Sequence, residues 1–423
     1  MRKIENKFYN ESYYEHTFSS GLKGIFIPKA GFTKTYAIIG VKFGSLYQEF
    51  NINGKDIKTP AGVAHFLEHK MFELPNGESA SNKFAELGAS DNAFTTYDYT
   101  AFKFTTTSNF DESLKLLLSM VSRLDVTEES VNKERSIITQ ELASYLNVPQ
   151  EQLVNHFYEQ AYSTNYLRVD IGGTIDTIKE ITPEVLHTAF DAFYHPKNMI
   201  LAVVGNIDLD HIEKLVEDSE LGHTQKPFLN PIVNFRDNDE IVSTYGEYKM
   251  DISDYKVLVG TRLDHSNLDP LTTFKNSMYF DILFDIFLAD SSNHYQTLLR
   301  KGYLDYSFGY ATYFERHYAY CYFSSNSKNI KKTQNTFTKL YDLICNYEVT
   351  EEEFNHYKNL QVARSIKQFN SLESIARYSV EFAVGDLDFL DALGEIEKLN
   401  FKEFLEFRKL LKDRPLITTV IKK

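Results

Sequence analysis

Between Ala61 and Glu73 the chain reads A-G-V-A-H-F-L-E-H-K-M-F-E, and three of these residues have the types and spacing to do chemistry. They are His65, Glu68 and His69. The spacing predicts a helix on which His65 and His69, at i and i+4, leave the same face. Two neutral imidazoles on one face supply two corners of a Zn²⁺ site and leave room for a third ligand and a water. Glu68 points near that face, where a carboxylate can take a proton from the water and make it a nucleophile near neutral pH. The plain alternative is a helix that carries two histidines and a glutamate without a metal.

A second stretch brings further carboxylates. Residues 127–147 read T-E-E-S-V-N-K-E-R-S-I-I-T-Q-E-L-A-S-Y-L-N, with Thr127 as a helix N-cap and acids in the first turn. Glu134 and Glu141 are two turns apart and share a face. Glu141 lies 141 − 69 = 72 positions after His69 and is placed to supply the third ligand, with Glu134 behind as support. The competing reading of both is an exposed acidic helix face, the commoner fate of glutamate.

These segments carry a resemblance. H-F-L-E-H followed by E-R-S-I-I-T-Q-E resembles the pitrilysin-like (M16) zinc metallopeptidases, and H-x-x-E-H is the inverzincin order of the metal motif. The longer string H-F-L-E-H-K-M-F-E resembles the YmfH-like bacterial branch. Residues 88–100, G-A-S-D-N-A-F-T-T-Y-D-Y-T, resemble the family's strand that binds substrate peptide. Gly172-Gly173-Thr174, and 194–199 leading into 203–206, resemble the close of its N-terminal domain. The match covers residues 10–210 and is weaker beyond.

The resemblance implies an α+β fold of the M16 / LuxS-metallohydrolase-like kind: two duplicated domains, each a mostly antiparallel sheet with helices packed on one side. It implies one Zn²⁺ per chain and a peptide substrate added as a strand along residues 91–97, held by Asn92, Ala93, Phe94 and Thr95. The alternative for Asn92 is a side chain satisfying its own backbone. In the family an Arg and a Tyr from the second domain grip substrate. Arg300 and Tyr306, in L-L-R-K-G-Y-L-D-Y, are the nearest candidates, at a spacing one residue shorter than usual and with an unexpected Asp305. A chain of this size makes half of the family's closed clamshell. A second chain is therefore implied, as a homodimer or as a heterodimer with a related subunit.

Composition is consistent with this. A length of 423 residues is comfortable for two domains, and 43% hydrophobic with 25% charged residues is ordinary for a globular protein. No apolar run is long enough for a membrane span, and the first residues, M-R-K-I-E-N-K-F-Y-N, lack the apolar core of a signal peptide. Two cysteines, Cys321 and Cys345, are too few for a disulfide framework or a thiolate zinc site, which together with the rest suggests the cytoplasm. A net charge of −14 argues against general nucleic-acid binding, and favours basic or neutral partners or simply solubility.

Along the chain, strands are expected at 11–18, 23–28, 35–44, 91–97, 100–107 and 199–204, with helices between them and a polar loop at 46–60. Residues 1–218 form the catalytic domain, 219–240 a linker and 241–423 a degenerate repeat. The repeat shows in V-T-E-E at 126–129 and again at 349–352, an offset of 223 that sets Tyr357 opposite Glu134 and Arg364 opposite Glu141. The chain therefore reads as duplicated, with chemistry kept in the first copy. Three functions compete: a cytoplasmic zinc endopeptidase acting on peptides or unfolded segments, such as a processing enzyme for small secreted peptides; a non-catalytic or partner-dependent peptide-binding subunit; and a metal-dependent hydrolase of another substrate.

Overall fold

The computed structural model describes residues 1–423 except 76, 237–239 and 266–267. The chain forms two compact units. Unit 1 gathers Met1–Leu142, Asp170–Phe235 and Ile366–Asp391, and unit 2 gathers Ala143–Val169, Arg236–Ser365 and Ala392–Lys423.

Unit 1 is built on a seven-stranded sheet in the order Arg2–Asn6, Glu11–Thr17, Lys23–Pro28, Met199–Gly205, Thr35–Val41, Thr100–Thr106, Ser90–Thr95. All neighbours are antiparallel except Lys23–Pro28 beside Met199–Gly205. Thr35–Val41 and Met199–Gly205 are buried at every position, the continuous apolar pattern of strands covered on both faces. Ala37, Ile39, Val41, Phe102, Phe104, Leu201 and Val203 look into one core with the helices Val63–Met71, Phe110–Met120 and Pro183–Phe193. The intervening positions of Thr35–Val41 meet a different helix, Leu372–Val384, which comes from late in the chain. A Cβ on Gly40 would stand 2.4 Å from Val380 Cγ1, so glycine at this position lets the helix lie close. Lys103 Nζ at 2.5 Å and Tyr36 Oη at 3.4 Å both donate to Glu373 at the start of that helix.

Unit 2 has a five-stranded sheet in the order Tyr245–Lys249, Ile417–Lys422, Tyr255–Arg262, Ala319–Ser327, Gly309–Phe314. Its helix Pro149–Ala161 comes from early in the chain. Tyr158 and Tyr320 share a hydrogen bond at 2.6 Å, and Thr419 Oγ1 donates to Gln160 Oε1 at 2.7 Å. The two units are thus not contiguous halves split at 219–240. Each half gives one helix to the other's sheet, because each sheet has two apolar faces and its own helices cover mainly one. The expected linker also carries structure: Glu220–His223 is helical, and Ile232–Val233 pairs with Glu49–Ile52. Its residues 237–239 lie outside the described residues.

The expected loop at 46–60 is another correction. Glu49–Ile52 and Lys55–Lys58 pair antiparallel across a two-residue turn, with Asn53 at φ 52° and Gly54 at φ 83°. Asn-Gly suits such a turn because both central residues need positive φ.

The duplication is visible in the order of elements. From Thr35–Val41 to Glu128–Tyr145, unit 1 runs strand, hairpin, two helices, two strands, two helices. Tyr255–Arg262 to Glu351–Gln368 repeats that order without the hairpin. On the long helix Pro270–Leu288, Asp281 and Asp285 stand at i and i+4. Arg364, at the repeat position of Glu141, forms a forked ion pair with Asp285, its second nitrogen 3.1 Å from Oδ1, and Gln361 Nε2 donates to the same carboxylate at 2.6 Å. The second copy therefore holds an acid pair and a fixed guanidinium where the first holds imidazoles and a carboxylate.

Asp281 accepts from Thr312 Oγ1 at 3.0 Å, and burial pushes its carboxyl up to about 6. A folded-state value raised above the unfolded one contributes stability below the unfolded value, and that contribution is lost as pH rises through about 6. Asp281→Asn is expected to gain on the order of 2 kcal/mol relative to the parent chain between pH 4.5 and pH 7.5. Urea midpoints of both chains at the two pH values measure it, and an equal difference at both removes the assignment.

Candidate metal centre

The predicted helix is Val63–Met71, with Val63, Ala64, Phe66, Leu67 and Met71 buried in the core and the His65, Glu68 and His69 face directed outward. Two glycine contacts fix its start. Gly62 has φ 93°, and a Cβ there would lie 2.4 Å from Gly172 O; Gly173 has φ 82°, and a Cβ there would lie 2.5 Å from Ala61 O. Side chains at either position would push the 170–174 loop off the helix.

The second helix is Glu128–Tyr145, opened by reciprocal bonds between Thr127 and Ser130 at 3.1 and 3.2 Å. Val131, Ile138 and Leu142 bury one side of it. Lys70, next to His69 and without side-chain exposure, pairs with Glu73 and reaches Ser130 O at 3.5 Å, so the two helices are tied directly. Nothing in the spacing singled Lys70 out; a buried lysine becomes legible only when its partner is seen.

Three donor atoms converge between the helices. His65 Nε2 and His69 Nε2 are 3.2 Å apart, His69 Nε2 is 3.5 Å from Glu141 Oε2, and His65 Nε2 is 3.9 Å from the same oxygen. A tetrahedral zinc with bonds near 2.0–2.2 Å needs ligand edges of roughly 3.3–3.5 Å, so the triangle fits the ion within a few tenths of an ångström. It is the one group of three such ligands among the described residues. Burial, with the charge of His69, pushes His65 down to about 4, which keeps it neutral as a ligand must be. Burial works to lower His69 too, but its bond to Glu134 and the charges of Glu134, Glu141 and Glu68 leave it raised.

Glu134 stands behind His69, its Oε1 2.9 Å from Nδ1. A proton on Nδ1 shared with this carboxylate leaves the Nε2 lone pair for a metal. Burial tends to raise Glu134, yet the His69 hydrogen bond holds it below the ordinary carboxylate value. Glu134→Gln is expected to weaken zinc binding 10- to 100-fold without unfolding the chain, as read by competition with a chromogenic chelator. Unchanged affinity would leave Glu134 as a surface carboxylate.

Glu68 is raised by burial, against the hydrogen bond it accepts from Thr95 Oγ1 at 2.5 Å. Thr95 was expected to hold substrate; its side chain instead faces Glu68, and only its main chain remains for a peptide. Thr95 belongs to Ser90–Thr95, an edge strand paired to Thr100–Thr106 alone. The Ala93 N–H donates to Asn92 Oδ1 at 2.8 Å, so Asn92 does satisfy the adjacent backbone. Phe94 packs edge-on against Tyr99, centroids 5.7 Å apart. An open cleft of about 570 Å³ runs from Glu68, His69 and Glu134 past Phe72 to Asp91, Asn92 and Ala93. Arg300 and Tyr306 belong to unit 2. Arg300 is exposed and bonds its own helix at Gln296 O and Thr297 Oγ1, both 3.2 Å, while Tyr306 is fully exposed in a turn before Gly309–Phe314.

Two imidazoles and a carboxylate on paired helices, with a half-buried glutamate between them and an open strand, define a centre of the metallopeptidase type. Comparison with known proteins agrees. The family model described as "Insulinase (Peptidase family M16)" matches residues 32–174, and "Peptidase M16 inactive domain" matches 180–361. The chain belongs to the M16 peptidase family. It is 29% identical over 409 residues to the "Uncharacterized zinc protease YmfH" of Bacillus subtilis (strain 168), covering 95% of this chain and 94% of that protein. Among solved structures, a candidate M16-like peptidase from Alicyclobacillus acidocaldarius superposes with TM-score 0.89 at 24% identity over 99% of both chains. The periplasmic protease PqqL of Escherichia coli superposes with TM-score 0.71 at 17% identity, over 97% of this chain and 47% of that one. No helix among the described residues is long and apolar enough to cross a membrane.

Proposed function

We propose that the protein is a zinc-dependent endopeptidase that hydrolyses peptides or unfolded segments. The observation that carries this reading is the triangle of His65, His69 and Glu141 with Glu68 beside it and an unpaired strand edge alongside. Zn²⁺ held by the three ligands would polarise the scissile carbonyl and lower the pKa of a water. Glu68, half-buried and raised, takes the proton of the attacking water and returns it to the leaving amine. Glu134 orients His69. Ser90–Thr95 aligns the substrate by main-chain pairing, with Asn92 releasing the Ala93 N–H to it, so selectivity reads extended shape more than side chains. Arg300 and Tyr306, both exposed, stay in this reading as substrate contacts on the strength of the family resemblance.

The reading extends to a chamber closed by two chains, this one twice or this one with a related subunit. PqqL supports it, since this chain matches about half of that protein's length. A cytoplasmic setting is supported by two buried, unpaired thiols. Zinc content and cleavage of unstructured peptides, measured on the purified chain alone and with a related chain, test the proposal. About one zinc with cleavage by the chain alone means a self-sufficient enzyme. Zinc with cleavage only after the relative is added means a partner-dependent one. No zinc under either condition ends the catalytic reading.

A further inference from the structure

Ser90–Thr95 offers a free edge to an extended peptide, and its side chains alternate between two faces. Asp91, Ala93 and Thr95 turn toward the helices. Thr95 Oγ1 meets Glu68 of Val63–Met71, Ala93 packs on the core, and Asp91 Oδ2 accepts from Ser81 Oγ of Ala80–Glu86 at 2.6 Å. Asp91 thus lines the same cleft as Glu68, 95 − 91 = 4 residues from Thr95 and about 13 Å along the strand. An added strand keeps this spacing, so the side chain it sets beside Asp91 lies about four residues from the one beside Thr95.

The other carboxylates on the cleft are already engaged. Glu134 holds His69, Glu68 takes the Thr95 hydroxyl, Glu73 pairs with the buried Lys70, and Glu78 stands 3.1 Å from Lys83 Nζ. Asp91 has the Ser81 hydroxyl, and no lysine, arginine or histidine among the described residues pairs with it. A carboxylate accepts at about four positions, so most of its capacity stays open to a ligand. Half-buried Phe72 lines the same cleft and gives an apolar wall for the methylene stem of a lysine or arginine. Lys133, exposed on this cleft and next in sequence to Glu134, disfavours a basic side chain nearer the metal ligands.

Resting on the peptidase reading above, we propose that Asp91 is a specificity-determining residue, which selects substrates carrying a lysine or arginine about four residues from the bond that is cut. The test uses unstructured peptides of one length, neutral except for a single lysine placed at each position in turn, ranked by kcat/KM. One position about four residues from the cut bond is expected to gain roughly 3- to 10-fold over the neutral peptide, mainly through KM, and to lose the gain at high salt. Norleucine at that position isolates the apolar stem and should give little of the gain. Asp91→Asn, which can still accept from Ser81, should erase the preference, and Asp91→Lys should turn it toward glutamate. A flat ranking, or a lysine preference that survives Asp91→Asn, would overturn the assignment. If the parent chain cleaves none of the peptides the peptidase reading fails, and binding of the same peptides, labelled and followed by fluorescence anisotropy, decides on Asp91 alone. Tighter binding of one lysine peptide that Asp91→Asn removes upholds the subsite; equal or absent binding overturns it.

Discussion

Glu68→Gln is expected to lower peptide cleavage at least 10²- to 10⁴-fold while the chain keeps its zinc. The amide preserves the shape of the side chain and can still accept from Thr95, now at 2.5 Å from Glu68 Oε2. It cannot accept a proton from water, and general-base catalysis contributes about that factor. Glu68 is not one of the three converging donors, so metal stoichiometry should stay at the parent level. Parallel measurement of kcat/KM and zinc content separates the cases. Loss of metal together with activity would make Glu68 a ligand or a determinant of the fold, and full activity would remove it from the chemistry.

Glu141→Gln is expected to act on the metal instead. Glu141 is the only anionic member of the triangle, and its Oε2 lies 3.5 and 3.9 Å from the two imidazole nitrogens. Replacing the carboxylate leaves two neutral imidazoles and a neutral amide around a doubly charged ion. The loss of zinc affinity should exceed the 10- to 100-fold typical of an outer hydrogen-bond partner such as Glu134. Cleavage should fall in step and recover in part as free zinc is raised, which marks lost affinity rather than lost chemistry. Zinc retained at parental affinity would return Glu141 to the exposed acidic face that its sequence context equally allows.

Both residues were legible in the sequence because helical periodicity constrains them. His65 and His69 at i and i+4, and Glu134 and Glu141 two turns apart, keep their geometry wherever the helices form. What was not legible depends on partners distant in sequence. Thr95 reads as a strand residue for substrate, and only the meeting of strand and helix shows its hydroxyl on Glu68. Lys70 looks like a surface lysine until Glu73 and Ser130 close around it. The hairpin at 49–58 was legible in principle from Asn53-Gly54, but its strands are short and polar and lack the alternation that marks a half-buried strand. The exchange of Pro149–Ala161 and Leu372–Val384 leaves no local trace, since an apolar helix face suits either sheet. Position 364 is a different case. The repeat offset placed Arg364 opposite Glu141, and the ion pair with Asp285 explains the change: a guanidinium brings its own positive charge to the acids of that copy.

The helix exchange has a consequence for how the protein is made. The last strand of the first sheet ends at Gly205, and the helix that covers its second face ends at Val384, 384 − 205 = 179 residues later. At roughly 5–20 residues per second of synthesis, about 9–36 s separate the two on the ribosome. Throughout that interval the nascent chain carries a sheet whose Tyr36, Ile38, Ile200, Ala202 and Val204 face has no cover of its own. The first half cannot finish folding before the second is nearly complete, so the protein matures as one cooperative product, and its early translation intermediates are natural clients for chaperones.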